Sequence, residues 1–149
     1  MLYRDVWGSI VKLTNDTIAE FKIDYPAIAI QFMDWEAHAN VAELPNADLI
    51  GPTGLSITEE EPGFVQVVFA LAVSTYGTDA NLFRQRDFVG RIFEKMRPEA
   101  QVALYDADTA AVKSFLVFTD GTTAVPMSRA DARPWQFVQA LALLEPTAA

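Results

Sequence analysis

The stretch that decides the fold is Pro62-Gly63-Phe64-Val65-Gln66-Val67-Val68-Phe69-Ala70-Leu71-Ala72-Val73-Ser74-Thr75-Tyr76. Alternate residues of a β-strand point to opposite faces, so a period of two separates this stretch into two sets. One set is bulky and apolar and the other is smaller: Val65, Val67, Phe69, Leu71 and Val73 against Gln66, Val68, Ala70, Ala72 and Ser74. The pattern predicts a long strand with one face suited to a core.

A helix over residues 81–97 is predicted to follow this strand. Thr78-Asp79 can cap its amino end, and Pro98 ends it. Its apolar residues recur at helical spacing: Leu82, Val89, Ile92, Phe93 and Met96. The strand therefore supplies a sheet, and the helix covers one face of it.

Length and composition bound the class of protein. The 149 residues are 51% hydrophobic and 21% charged, which fits one globular domain spanning residues 1–149. A formal net charge of -9 argues against binding nucleic acid through its phosphates, because that affinity comes from clustered Lys and Arg. The absence of cysteine excludes disulfides and thiolate metal sites. Because the amino end lacks signal-peptide features and no apolar run is long enough to span a membrane, we expect a cytoplasmic protein.

The rest of the chain adds elements to this unit. An amphipathic helix is predicted from the start of the chain to about Phe21. Between residues 33 and 62 the patterns dissolve, and we expect an extended arm, although Ile50 and residues 55–57 leave open a strand of an extended hairpin. Further strands are predicted at residues 27–32, 101–105, 114–119 and 122–127, and a last long one after Pro134.

These elements predict an α+β fold with a mixed, mostly antiparallel sheet, two helices packed on its bulky face, and an extended arm or hairpin. The last strand also separates into two sets: Trp135, Phe137, Leu141 and Leu143 against Gln136, Val138, Ala140 and Ala142. We expect the small face of the sheet to stay uncovered within one chain. This face is predicted to carry Ala70, Ala72, Ala140 and Ala142. A surface too apolar for water and too small for a core suggests a contact between subunits.

Asp34, Glu36 and His38 form the only candidate metal site of any substance. If the strand before them continued, all three would point the same way, and two carboxylates with an imidazole can ligate a divalent metal. No second cluster supplies further ligands or an orienting shell, so a solvated strand end or loop explains the same residues. We therefore expect no metal, no cofactor and no catalytic residues.

Charged residues supply the candidate interface. Glu59, Glu60 and Glu61 form an acidic run that is either a solvated surface or the tip or base of the arm, facing a partner or a channel. Four arginines are either ordinary surface charges or partners for these acids across an interface: Arg84, Arg86, Arg129 and Arg133.

The order of the elements resembles that of the tail terminator, or tail-completion, proteins of tailed bacteriophages and phage-derived particles. The resemblance lies in the opening helix, the acidic arm, the long strand leading into a helix, and a final strand introduced by Arg133-Pro134-Trp135-Gln136-Phe137-Val138. It implies a non-enzymatic structural protein in the virion, assembled in the host cytoplasm. Such proteins form a ring, typically a hexamer, that caps the tail tube and joins it to the head connector, with DNA only as passing cargo and no membrane.

Three alternatives stay open. Other neck and tube proteins of the same particle share these features. A small metal-dependent enzyme would need Asp34, Glu36 and His38 to converge with another acid. A small-ligand or adaptor module would be a monomer with a closed apolar pocket.

Overall fold

The computed structural model describes residues 2–35, 44–119, 121–127 and 133–144, with Glu60 and Met127 described by their backbone alone. These residues form two α-helices, a short 3-10 helix and seven strands. The helices are α1 (Leu2–Asp24) and α2 (Phe83–Lys95), with the 3-10 helix (Ala80–Leu82) directly before α2. The strands are β1 (Ile30–Phe32), β2 (Asp48–Glu61), β3 (Phe64–Ser74), β4 (Gln101–Tyr105), β5 (Val112–Phe118), β6 (Thr123–Met127) and β7 (Trp135–Leu144).

The strands form one mixed, mostly antiparallel sheet, in the order β1-β2-β3-β7-β5-β4. Strand β6 pairs with β7 beside the start of that strand, and β5 pairs with its end. In the centre of the sheet, β3 and β7 run antiparallel, with Phe69 opposite Ala140 and Leu71 opposite Val138. Both helices pack on one face, so the predicted α+β fold is confirmed.

The main core lies between the helices and the face of the sheet on which they pack, which we call the inner face. The rings of Phe21 on α1 and Phe88 on α2 stack with their centroids 4.3 Å apart. Beneath them, Phe69 and Phe118 approach to 6.0 Å between centroids. Because all four side chains are buried, each contributes the full apolar burial of an aromatic ring.

Helix α1 runs unbroken through the polar stretch at residues 15–17. Three buried hydroxyls of this helix each donate to the carbonyl four residues earlier: Ser9 to Asp5, Thr14 to Ile10 and Thr17 to Leu13. The polar side chains on the buried side are therefore satisfied within the helix. The helix ends three residues beyond the predicted Phe21, at Asp24.

Residues 48–61 form β2, the longest strand, which pairs with β3 in a hairpin closed at Pro62-Gly63. The alternative that Ile50 and residues 55–57 belong to a strand is therefore confirmed, and this strand lies within the sheet, with Ile50 buried in the main core, and not in a hairpin outside the body of the protein. A Cβ atom on Gly51 would lie 1.4 Å from the Met33 carbonyl oxygen, so the close approach of the chain after β1 requires glycine there. Gly54 has a φ of 65° at the irregularity between Thr53 and Ser56.

The predicted register of β7 against the helices is wrong. Because residues directly opposite each other share a face, the pairing of Val67 with Ala142 and of Phe69 with Ala140 places both alanines under the helices. The large set of β7 lies on the opposite, outer face: Trp135, Phe137, Leu141 and Leu143. The prediction for the outer face is therefore right for Ala70 and Ala72 on β3 and wrong for Ala140 and Ala142 on β7.

Candidate assembly surface

The outer face of the sheet carries a strip of apolar side chains away from both helices. Cross-strand pairing aligns Val68 with Leu141 and Val117 with Leu143, and Phe115 and Val125 lie on the same face. Val68 is 39% exposed, Phe115 37% and Val125 39%. We call this set, together with Phe64 at the end of the hairpin, the outer strip: Phe64, Val68, Phe115, Val117, Val125, Leu141 and Leu143.

The other end of the same face is covered by the chain that follows β1. Met33, Leu49, Ala72 and Trp135 form a second, smaller core there. The ring of Trp35 meets Trp135 edge to face, with centroids 4.8 Å apart, and Phe137 at 5.0 Å. Within the described residues, the chain thus buries one end of the outer face and leaves the outer strip uncovered.

The acidic run lies at the tip of the hairpin, where it ends β2. Glu59 and Glu61 are both exposed. Glu61 is the cross-strand partner of Phe64, whereas Glu59 is opposite Val65, which packs in the main core. The two acids therefore project from opposite faces of the same hairpin, and Glu61 adjoins the outer strip.

Arg84, one of the predicted interface arginines, is bound within its own chain. Its Nε donates to Asp48 Oδ2 at 2.7 Å and its Nη2 donates to Asp48 Oδ1 at 3.1 Å. Asp48 Oδ1 also accepts the Tyr76 backbone N–H at 2.8 Å. Both charged groups are buried, and the hydrogen bonds that Arg84 donates to Asp48 raise the pKa of Arg84. Its role in an interface stays a prediction, while the internal ion pair accounts for its position.

The predicted cap of the second helix is confirmed at Asp79. Its carboxylate accepts the backbone N–H groups of Arg84 at 2.8 Å and Gln85 at 3.1 Å, and the Thr75 hydroxyl at 2.8 Å. Burial alone would raise the pKa of Asp79, but these hydrogen bonds outweigh it and lower the pKa. Helix α2 begins at Phe83, two residues later than predicted, because Asn81 and Leu82 have positive φ values of 56° and 54°.

Arg133 also makes its contacts within the chain. Its Nη1 and Nη2 donate to the carbonyls of Pro45 and Ala47 at 3.0 and 2.6 Å, and its guanidinium lies over the ring of Tyr76. These contacts hold the chain before β2 against the beginning of β7. Arg86 differs, because it is exposed on α2 and forms no ion pair within the described residues. Arg129 lies outside the described residues.

The metal hypothesis is not tested by the described residues, because Glu36 and His38 lie outside them. Asp34 follows β1 and is half-buried. In the described ranges, no group of three or more His, Cys, Asp or Glu side chains could hold a metal ion.

Two further acids, Asp5 and Asp106, form hydrogen bonds with the turn between β4 and β5. Asp5 on α1 binds the Lys113 ammonium and accepts the Ala107 N–H at 2.8 Å, and together these bonds lower the pKa of Asp5. Asp106 accepts the N–H groups of Asp108 and Thr109 at 2.9 and 3.0 Å. The group fastens the turn to the start of α1.

A groove of about 760 Å³ runs between α1, the end of α2 and β4. It is lined by both charged and apolar residues, including Glu94, Arg97 and Val102. This lining differs from the closed apolar pocket that the small-ligand hypothesis predicts.

No helix in the described part of the chain has the length and apolar character needed to cross a membrane. A scan against models of known protein families finds no match, and a search of curated proteins finds no significant relative.

Proposed function

We propose that this chain is a structural protein of a tailed bacteriophage or a phage-derived particle, a tail terminator whose copies form a ring. The ring would cap the tail tube and join it to the head connector, and DNA would only pass through it. The observation that carries the proposal is the outer strip. An antiparallel sheet with one free face normally turns polar side chains to water on that face. Here the face away from the helices exposes Val68, Phe115 and Val125 instead. Exposed apolar side chains grouped in this way are typical of a contact between proteins.

Two features support a phage particle as the place where this contact forms: the resemblance in element order and the net charge. A net charge of -9 suits a ring through which DNA must slide without being held. Glu59 and Glu61 at the hairpin tip are exposed, so they can repel phosphate wherever the tip faces a channel. A neck or tube protein of the same particle would use the same surface. Such a protein differs from a tail terminator in its position within the particle.

Changing Glu59 and Glu60 to lysine, with Glu61 left in place, tests whether the acidic run faces the channel. In a channel, the two lysines would form contacts with passing phosphates. We therefore expect capped tails of normal length and DNA delivery reduced by at least about tenfold, because favourable contacts with the strand replace repulsion. Electron microscopy of the tails and a delivery assay measure the two effects.

A variant with Asp16 and Glu99 changed to lysine is the matched control, since its net charge changes equally at exposed sites away from the hairpin, and the one ion pair that it breaks, Asp16 with Lys12, is exposed and contributes little. Normal delivery by the double-lysine variant would place the run outside the channel. Overlong, uncapped tubes would place it in a contact between proteins. Metal-dependent turnover by the purified protein would contradict the structural role altogether.

A further inference from the structure

The exposed side of α2 carries residues that nothing within the described chain explains. Phe83, Arg86 and Gly90 are spaced three and four residues apart, so they lie along one side of the helix. Phe83 is 73% exposed. The buried residues Phe88 and Ile92 lie on the opposite side of the helix and face the sheet. We call Phe83, Arg86 and Gly90 the helix stripe.

Gly90 is unexpected in the interior of a helix, where glycine is less favourable than alanine. No atom lies within 4 Å of the position that a Cβ on Gly90 would occupy, so packing within the described chain does not require glycine. A second surface lying close across the helix would require it. Gly90 therefore leaves room for a close neighbour on the stripe.

The charges of the helix stripe and the outer strip are complementary. Most other cations of the described chain are already paired: Arg4, Lys12, Arg84, Arg91, Lys95, Arg97 and Lys113. Arg86 has no such partner in the described ranges, and neither has Glu61 beside the outer strip. An exposed cation next to exposed Phe83 thus matches an exposed acid next to exposed Phe64.

The two surfaces lie on opposite sides of the molecule. The outer strip is on the face of the sheet away from the helices, and the helix stripe is on the side of α2 away from the sheet. One copy cannot bring its own two surfaces together. Contact between the surfaces of successive copies is head to tail, and such contacts close into a ring when the rotation between copies allows it.

We propose that the helix stripe of one copy packs on the outer strip of the next copy, with Phe83 against the apolar residues and Arg86 beside Glu61. This inference rests on the proposed ring and identifies the two surfaces that join its subunits. The second helix then covers sheets on both of its sides, one in its own chain and one in its neighbour.

Reversing the charges tests the pairing directly. Arg86→Glu and Glu61→Lys each place like charges together, and we expect each to raise the concentration needed for assembly at least about tenfold. Both changes in one chain restore opposite charges and should restore assembly. A mixture of the two single variants should also assemble, because alternating copies pair Lys with Glu and Arg with Glu. Sedimentation velocity over a concentration series measures each case.

Glu59→Lys is the matched control, because it makes the same charge change two residues away on the other face of the hairpin. We expect it to assemble like the parent chain. Gly90→Leu should block the close approach and abolish assembly, with the fold retained by circular dichroism. Gly8→Leu is its control, because Gly8 is also an exposed helical glycine with open space where a Cβ would lie, but it belongs to α1.

The outcomes separate this inference from the proposed function. A parent chain that stays monomeric overturns both. A parent chain that assembles while Arg86→Glu, Glu61→Lys and Gly90→Leu assemble equally well leaves the ring standing and overturns the pairing. Single variants that fail to assemble and are not rescued, either in one chain or in the mixture, also overturn it.

Discussion

Replacing Phe69 by alanine should lower the free energy of unfolding by about 3–5 kcal/mol. The side chain is 1% exposed in the centre of β3, between Phe118 and the helices, so its removal loses apolar burial and leaves a cavity. The same cost is expected for Trp135→Ala, although Trp135 lies in the smaller core on the outer face. Urea unfolding followed by circular dichroism measures both values.

Tyr3→Ala is the matched control for these two substitutions, because it also removes an aromatic ring but from an exposed position outside both proposed contact surfaces. Its expected cost is within about 0.5 kcal/mol. A comparably small loss for Phe69→Ala would mean that the faces of β3 are exchanged, since a slip of one residue turns each side chain to the other face.

Replacing Asp48 by alanine should cost about 3–5 kcal/mol, because it leaves the buried Arg84 guanidinium without its counter-charge. It also removes the acceptor of the Tyr76 N–H, and so loosens the loop between β3 and α2. Guanidinium chloride is unsuitable because its ionic strength screens charges, so the measurement is again urea unfolding.

Asp24→Ala is the control for Asp48→Ala, because it removes the partner of Arg91 from a pair whose side chains are 37% and 49% exposed. We expect it to cost no more than about 1 kcal/mol. Equal losses for the two variants would show that the Asp48 and Arg84 pair is as solvated as the exposed one.

Strand β3 was predictable because its pattern is local. The alternation of large and small residues along it matches its position at the centre of the sheet, with Val67 and Phe69 under the helices. Asp79 was predictable for the same reason, since a cap lies within a few residues of the helix it serves.

Strand β2 was predicted only as an alternative, because Gly51, Pro52 and Gly54 have low strand propensity. Each is tolerated for a reason that depends on distant residues or on the edge of the sheet. Gly51 admits the Met33 carbonyl, and Gly54 lies at an irregularity in the pairing. The Ile50 carbonyl accepts the Met33 N–H, so this side of β2 faces β1 and the residues that follow it. Residues two apart in a strand turn their backbone groups to the same side, so the nitrogen of Pro52, which carries no hydrogen, also faces this side, past the end of β1.

The register of β7 could not be predicted because both of its faces are apolar. The sequence assigns the larger set to the core, but the inner face is already filled by Phe69, Phe118 and the helices, and it accommodates Ala140 and Ala142. The displaced large residues are the ones that form the outer strip and the smaller core. The ion pair of Asp48 with Arg84 was missed for a similar reason, because it joins residues from separate elements without a local signal.

The mass of the purified chain in solution, measured by light scattering over a range of concentrations, tests the central claim most directly. A ring of the proposed kind gives a discrete species that is a multiple of the 16.5 kDa chain, expected as a hexamer, and negative-stain images show closed rings. A folded protein that remains a 16.5 kDa monomer at every concentration would contradict the account.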